Sequence, residues 1–286
     1  MVPTILLLTA EVLPHDDYET ALVAEALTDL GVKSQIVPWD ADGLSDIPAD
    51  LAVIRSTWDY TGALPKFLDV LGRLPMVLSN PVEVVRWNSH KGYLVELAEA
   101  GAPVVPTRLF RAADFAAGDP VVLPSFDTPE IVIKPAVSAG GAGVGRFADG
   151  SAAALDHLTS TLRTADALVQ PFQPGVSEGE RSLIHLGGVF SHAVRKTPAE
   201  GDYRVQERFG GSNRPHQPSG AELAAAAAAL SVVPGGSDVL SYARVDLVGP
   251  EDNPLIMELE LIEPELFLRY ADGSAERLAK ALAAMV

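Results

Sequence analysis

The chain has 286 residues, 48% of them hydrophobic, enough for two or three subdomains with sizeable cores. Its formal net charge of −17 argues against nucleic acid or an anionic membrane as the main partner, because both reward a basic surface. It has no cysteine, which excludes disulfides, thiol catalysis and thiolate metal sites. The opening MVPTILLLTAEVLP is apolar, but no basic segment precedes it and acidic residues follow soon after. It reads as a first strand at Ile5–Thr9 rather than a secretory signal. No apolar stretch is long enough to span a bilayer, so a cytoplasmic location is expected.

Tyr18–Leu30 has the apolar spacing of a helix and stops at Gly31. SQIVPW and LAVIRST read as two more strands, a β-α-β-β start typical of a small α/β domain with a largely parallel sheet. No G-x-G-x-x-G follows the first strand, so a strict dinucleotide fold is unsupported. In NPVEVVRWNSHKGYLVELAEAGAPVVPT, Asn88 or Ser89 can cap a helix running to about Ala100, and Pro103 and Pro106 bracket a short strand. Strands at Glu130–Pro135 and Leu168–Phe172 flank a helix near Ala152–Thr164. SLIHLGGVFSHAVRK reads as a hairpin around Gly187-Gly188, and AEGDYRVQERFGGSNRP as a mobile polar loop. GAELAAAAAALSVV is a helix by propensity. VLSYARVDLVG and PLIMELELIEP are strands joined by PEDN, and SAERLAKALAAMV is a closing helix.

The last two strands carry the chemistry. Side chains alternate faces along a strand, so Arg244 shares a face with Asp246, and Glu258 with Glu260. Pairing symmetrically about residue 252 sets Asp246 opposite Glu258 and Arg244 opposite Glu260. Three carboxylates on one sheet face repel one another. Either the face is solvated or a divalent cation neutralises it, Mg2+ being suited to hard oxygen donors shared with phosphates. In IVIKPAVSAGGAGVGRF, a strand ends in Lys134 and runs into Gly140, Gly141, Gly143 and Gly145. Such a loop is either a flexible turn or a backbone cradle for phosphate oxygens with Lys134 beside it. It is not a Walker loop, because the lysine comes first.

In order along the chain, these pieces resemble the ATP-grasp superfamily, particularly its glutathione synthetase-like and RimK-like ligases. Lys91 matches the first nucleotide lysine. IVIKP with SAGGAGVGRF matches the second, Lys134, and the phosphate-covering loop, with Ser138, Gly140, Gly141 and Gly143. LVQPF matches the hinge strand at adenine, with Gln170 and Phe172, and Glu180 matches the ribose contact. AVRKTPAEGDYRVQERFGG resembles the family's large loop, placing Arg195 and Arg204 on its arginines. ARVDL and IMELE match the metal strands, giving Asp246, Glu258 and Glu260. Two departures stand out: Glu260 replaces the usual Asn of the metal motif, and Gln206 and Phe209 replace an Asn and an Arg of the large loop. VIRSTWDY, NPVEVVRWNSHKGYL, PVVPT and IEPELFLR are similar to a narrower group, the one containing the O-ureido-serine cyclo-ligase of cycloserine biosynthesis.

The resemblance implies an α/β (α+β ATP-grasp) fold. A parallel-sheet domain at 1–86 would be followed by ATP-grasp subdomains at 87–172 and 173–286 that hold ATP between them. It also implies ATP and Mg2+ as cofactors, with Mn2+ as an alternative ion, and a ligase that phosphorylates a carboxylate for attack by an amine. Arg204 and Arg244 are candidates for stabilising charge on the acyl phosphate. A small amino-acid-like substrate would meet RSTWDY, where Ser56 lies, Asp59 can hold an ammonium and Arg55 can either fork a carboxylate or make a structural ion pair; Arg269, just beyond EPELFL, has the same two readings. Trp58 and Tyr60 read as packing, and the scattered His90, His185 and His192 as structural. A peptide-type ligase, a small-molecule kinase and a nucleotide-binding module without turnover stay open as alternatives. A homodimer is among the expected states, since related folds often form one.

Overall fold

A computed structural model describes residues 2–199 and 210–286, and its strands fall into three sheets. The first contains β1 (Thr4–Thr9), β2 (Lys33–Pro38), β3 (Leu51–Ser56) and β4 (Val77–Ser79), all parallel in the order β2-β1-β3-β4. The runs TILLLT and LAVIRS are almost wholly buried, as strands covered on both faces must be. Helix α1 (Glu19–Asp29) covers one face and α2 (Leu64–Arg73), which the sequence reading did not anticipate, the other. Gly31, at φ 76°, ends α1 in the left-handed conformation expected of a glycine there.

The helix expected from Asn88 or Ser89 to Ala100 is two short ones, α3 (Val82–Asn88) and α4 (Tyr93–Glu99). Asn88 caps neither. Its side chain donates to Leu259 O (2.8 Å) and accepts from Leu261 N (2.9 Å), stapling α3 to the end of a strand 171 and 173 residues away in sequence. The segment between Pro103 and Pro106 makes a single bridge, Val104 to Ile256, rather than a strand of its own.

The second sheet is antiparallel, in the order β5 (Arg108–Phe110), β8 (Ala167–Pro171), β6 (Glu130–Pro135), β7 (Gly145–Ala148). Helix α5 (Ala112–Ala116) follows β5, and α6 (Ala152–Leu162), capped by Ser151, packs on β6 and β8 through Ala154, Leu158 and Leu162. The third sheet contains β9 (Glu180–Leu186), β10 (Val189–Thr197), β11 (Ser212–His216), β12 (Tyr242–Val248) and β13 (Leu255–Glu260). All its pairs are antiparallel, in the order β11-β10-β9-β12-β13. Gly187 and Gly188, at φ 60° and 78°, make the two-residue β9–β10 turn. SNRPH, expected within a loop, forms the edge strand β11. The rest of that expected mobile loop, residues 200–209, lies outside the described residues.

Helix α7 (Gly220–Ser231), held by a Ser219–Glu222 capping box, covers one face of the third sheet. The C-terminal helix α8 (Ser274–Ala283) returns to the first sheet and packs beside α1. The outer face of the third sheet is thereby closed by α7, and its inner face carries Glu180, Lys196, Arg244 and Asp246.

Candidate active site

The β12–β13 ladder pairs Arg244 with Glu260 and Asp246 with Glu258, the register that symmetry about residue 252 predicts. β9 and β10 extend that face by Glu180, Ser182 and Lys196, since Glu180 pairs with Lys196 and Ser182 with Asp246. Asp246 is buried and fully engaged. Arg244 donates Nε and Nη2 to its two oxygens (3.0 Å each), Lys196 Nζ lies 3.0 Å away and Ser182 Oγ 2.6 Å. Arg244 also pairs with Glu260, and Lys196 with Glu180. Lys91 reaches Glu258 Oε1 at 2.6 Å and donates to Ser138 O at 2.7 Å. Lys134 is buried with no ion pair among the described residues, and it faces Glu258, Lys91 and Glu180.

Among the described residues, five carboxylates (Glu180, Asp246, Glu258, Glu260, Glu263) meet four cations, and the titration directions record this shortage. Burial pushes Glu260 up to about 7, Arg244 opposing and Asp246 reinforcing it. Burial and then Glu260 push Glu263 up to about 8. Glu180 is raised to about 7 by burial, against the pull of Lys196. Burial also acts on Asp246, but Arg244 and Lys196 outweigh it and hold that carboxyl well below its usual range. Burial lowers Lys134. For Lys91 the attraction of Glu258 overcomes burial and raises it.

The three acids expected to bind metal do not converge on one point: among the described residues no group of three His, Asp or Glu side chains is arranged to hold an ion. Each turns to a protein cation instead, as unscreened charges must at low dielectric. The donor chemistry nevertheless fits Mg2+, which takes one or two carboxylates and completes its shell with phosphate oxygens and water. Glu258 and Glu260 share a face, and their side chains are 25% and 29% exposed, whereas that of Asp246 is 3% exposed.

The glycine loop joins β6 to β7 above this face. Gly140, Gly141 and Gly143 all have positive φ, and a Cβ on Gly143 would lie 2.8 Å from the Pro135 ring. Ser138 donates its hydroxyl to Pro135 O (3.2 Å). On the hinge, Gln170 is buried and donates to Thr107 Oγ1 (2.8 Å), while Phe172 donates its N–H to Glu130 O (2.9 Å) and carries Arg146 over its ring at 3.6 Å.

Several expected site residues stand elsewhere. Arg195 is on the opposite face of β10, bonded to Glu251 and to Glu178 O, and Lys196, which the sequence reading missed, takes the inner face. A bulge causes the exchange: the β9–β10 register slips between Phe190 and His192, so 180 meets 196 rather than 195. Arg204 lies outside the described residues. Arg55 is buried, pairs with Glu19 (3.2 Å) and is set over the Tyr242 ring, the structural ion pair that is one of its two expected roles, and its Nε and Nη1 have no hydrogen-bond partner among the described residues. Ser56 is buried against Thr9 Oγ1 (2.8 Å), and Asp59 accepts from Trp39 Nε1 (2.8 Å). Arg269 is exposed over the Tyr18 ring at 4.5 Å.

Residues 5–80 match the family described as the N-terminal domain of D-cycloserine synthetase DcsG, and residues 125–248 the ATP-grasp domain of prokaryotic glutathione synthetase. The cycloserine biosynthesis protein DcsG of Streptomyces lavendulae is 32% identical over 93% of each chain. A glutathione synthetase of Prochlorococcus marinus is 27% identical over 66% of this chain and 57% of its own. The crystal structure of D-cycloserine synthetase DcsG superposes with a TM-score of 0.83 at 29% identity, covering 98% of this chain and 99% of that one. D-alanine–D-alanine ligase from Bacillus anthracis shares the fold, with a TM-score of 0.69 at 13% identity over 99% of this chain and 96% of its own. With three sheets, a glycine loop and a charged inner face in place, the chain belongs to the ATP-grasp superfamily and is an ATP-grasp ligase. Within it, the chain is a relative of D-cycloserine synthetase DcsG. No helix among the described residues is long and apolar enough to cross a membrane.

Proposed function

We propose that this protein is an ATP- and Mg2+-dependent ligase that joins a carboxylate to a nitrogen through an acyl phosphate. Its substrate is a small amino-acid-like molecule, and the kinship with DcsG favours ring closure of O-ureido-D-serine or a close analogue. The observation that carries the reading is the inner face itself, where Lys91, Lys134, Lys196 and Arg244 stand among carboxylates beneath a left-handed glycine loop.

The substrate carboxylate takes the γ-phosphoryl group of ATP and ADP leaves; the nitrogen then displaces phosphate and loses a proton. Charge neutralisation and in-line placement dominate such a transfer. Glu258 and Glu260, with Asp246 beside Glu258 across the ladder, would hold Mg2+, which when bound neutralises phosphate oxygens. A carboxylate committed to the ion holds Lys91 and Arg244 less tightly, which frees them for the phosphates. Lys134 needs no such exchange, having no ion-pair partner to leave among the described residues. Arg244, fixed by Asp246, presents a delocalised cation to charge developing on the acyl oxygen. The backbone of residues 138–143 would cover the phosphates, and Gln170, Phe172 and Glu180 line the nucleotide side. When the nitrogen and carboxylate belong to one molecule, closure gains from proximity. Coupling of two amino acids is the second reading, favoured by the match of residues 125–248 to glutathione synthetase.

The test mixes purified protein, ATP and Mg2+ with O-ureido-D-serine or with pairs of amino acids, following ADP and product mass. ADP release with O-ureido-D-serine and a cycloserine mass is the expected outcome. Release only with amino-acid pairs discards ring closure and keeps the ligase. Failure of hydroxylamine to trap a hydroxamate while a phosphorylated hydroxyl accumulates replaces the ligase with a kinase.

A further inference from the structure

Residues 263–268 follow the metal-side strand β13 and are gripped from several elements. Trp58 Nε1 donates to Glu263 O (3.2 Å), Tyr18 donates its hydroxyl to Glu265 Oε1 (2.7 Å), and His192 Nε2 lies 2.9 Å from Leu266 O. Phe267 sits at φ 53°, rare for a side chain of its size. A segment so turned cannot continue a ladder, and its buried N–H groups need acceptors. One side chain supplies them. Glu19, at the start of α1, accepts from Leu266 N at 2.7 Å and from Leu268 N at 2.8 Å, while Arg55 holds the same carboxylate at 3.2 Å. The neighbouring carbonyl, Glu265 O, accepts from Arg244 Nη1 at 3.0 Å.

A continuous chain of bonds thus runs from the N-terminal sheet to the inner face: Arg55, Glu19, the backbone at 265–268, Arg244, then Asp246 and Glu260. Buried ion pairs are a poor source of stability, since desolvation offsets their attraction. A carboxylate does something here that no apolar side chain can, because both of its oxygens accept and two adjoining N–H groups are fixed at once. Asp246 alone leaves Arg244 one edge bound; Glu265 O holds its third nitrogen and sets the plane of the guanidinium.

We propose that the buried Arg55–Glu19 pair is a positioning device for Arg244, acting through the backbone of residues 265–268. The role of Arg244 in phosphoryl transfer rests on the ligase reading; the positioning itself does not.

The experiment compares wild type, Glu19→Gln and the double variant Glu19→Gln/Arg55→Met. Gln keeps the shape but turns an amide donor toward one backbone N–H, and removal of Arg55 relieves the unpaired buried charge that could unfold the single variant. The first readout is the Arg244 Nε–H resonance, assigned by its loss in Arg244→Lys, with Arg181, held by Glu222 at 2.7 Å, as the internal reference. In both variants the Arg244 signal is expected to shift and exchange faster while that of Arg181 stays. ADP formation should fall about tenfold or more. The double variant should recover the unfolding midpoint without recovering the signal or the rate. Recovery of all three together, or an unmoved Arg244 signal, overturns the proposal and leaves the pair a structural one. Absence of ADP with any carboxylate in wild type sinks the ligase reading instead, and the resonance comparison still decides the positioning.

Discussion

Lys196 lies buried between Asp246 and Glu180, whereas Arg195, one residue earlier, faces the other way toward Glu251, whose side chain is 54% exposed. Replacing Lys196 by Met takes the ion pair from Glu180 and one of three partners from the buried Asp246, and should cost about 3 kcal/mol in urea unfolding, with loss of ADP formation. Replacing Arg195 by Met should cost at most about 1 kcal/mol, because its ion pair is at the rim. Equal losses would show that the two side chains do not divide the faces of β10 in this way. Residue types were readable from the chain: Asp246, Glu258, Glu260, Lys91 and Lys134 all stand at the inner face as the motifs imply. Their partners were not. Lys91 meets Glu258 and Ser138 across 167 and 47 positions of sequence, and no local pattern encodes such distances. Glu19 and Glu263 carried no signal either, since an acid in so acidic a chain looks like surface until its neighbours are known.

At the scale of elements, the longer strands were legible, the edge strand β11 and the single bridge at Val104 were not, and parity was not always so. Alternation and turn residues suffice for β6, β9, β10, β12 and β13. The bulge at Ser191 leaves no mark in the alternation, yet it moves every later side chain of β10 to the other face relative to β9. The break between α3 and α4 was hidden for a related reason: SHKG is compatible with helix, and a bond from Asn88 to β13 decides against it. The glycine loop makes a prediction of its own. Gly143→Ala adds a methyl 2.8 Å from Pro135 at φ 72°, whereas Gly141→Ala, at φ 78°, meets nothing within 4 Å. Both should weaken nucleotide binding, Gly143→Ala more, and Gly141→Ala alone should carry strain of about 1 kcal/mol. Calorimetric titration with a non-hydrolysable nucleotide orders them; the reverse order would mean that the loop does not cover the phosphates.

For the whole molecule, excess negative charge sets the pH response. Glu19, Glu180 and Glu260 are raised to about 7 and Glu263 to about 8, burial leading in each case. Between the ordinary glutamate value and these, the folded state binds more protons than the unfolded one, so stability falls as pH rises. The urea midpoint of the ligand-free protein should therefore drop from pH 5.5 to pH 8, by up to about 1.4 kcal/mol per titrating group per pH unit. Asp246, held low by Arg244 and Lys196, contributes throughout that range and loses its share only in strong acid. Mg2+ with nucleotide should restore more stability at pH 8 than at pH 5.5; a midpoint that rises toward pH 8 without them would contradict the shortage of cations. The sequence by itself determined the superfamily, many of the strands and helices and the charge types of the inner face. Those follow from periodicity, turn residues and motif order, which are local along the chain. Only the tertiary structure decided that Arg55 pairs with Glu19, that Lys196 rather than Arg195 reaches Asp246, and that Glu19 reaches Leu266 and Leu268. Each of these depends on which distant surfaces share a layer and on a one-residue slip of register, neither of which local alternation records.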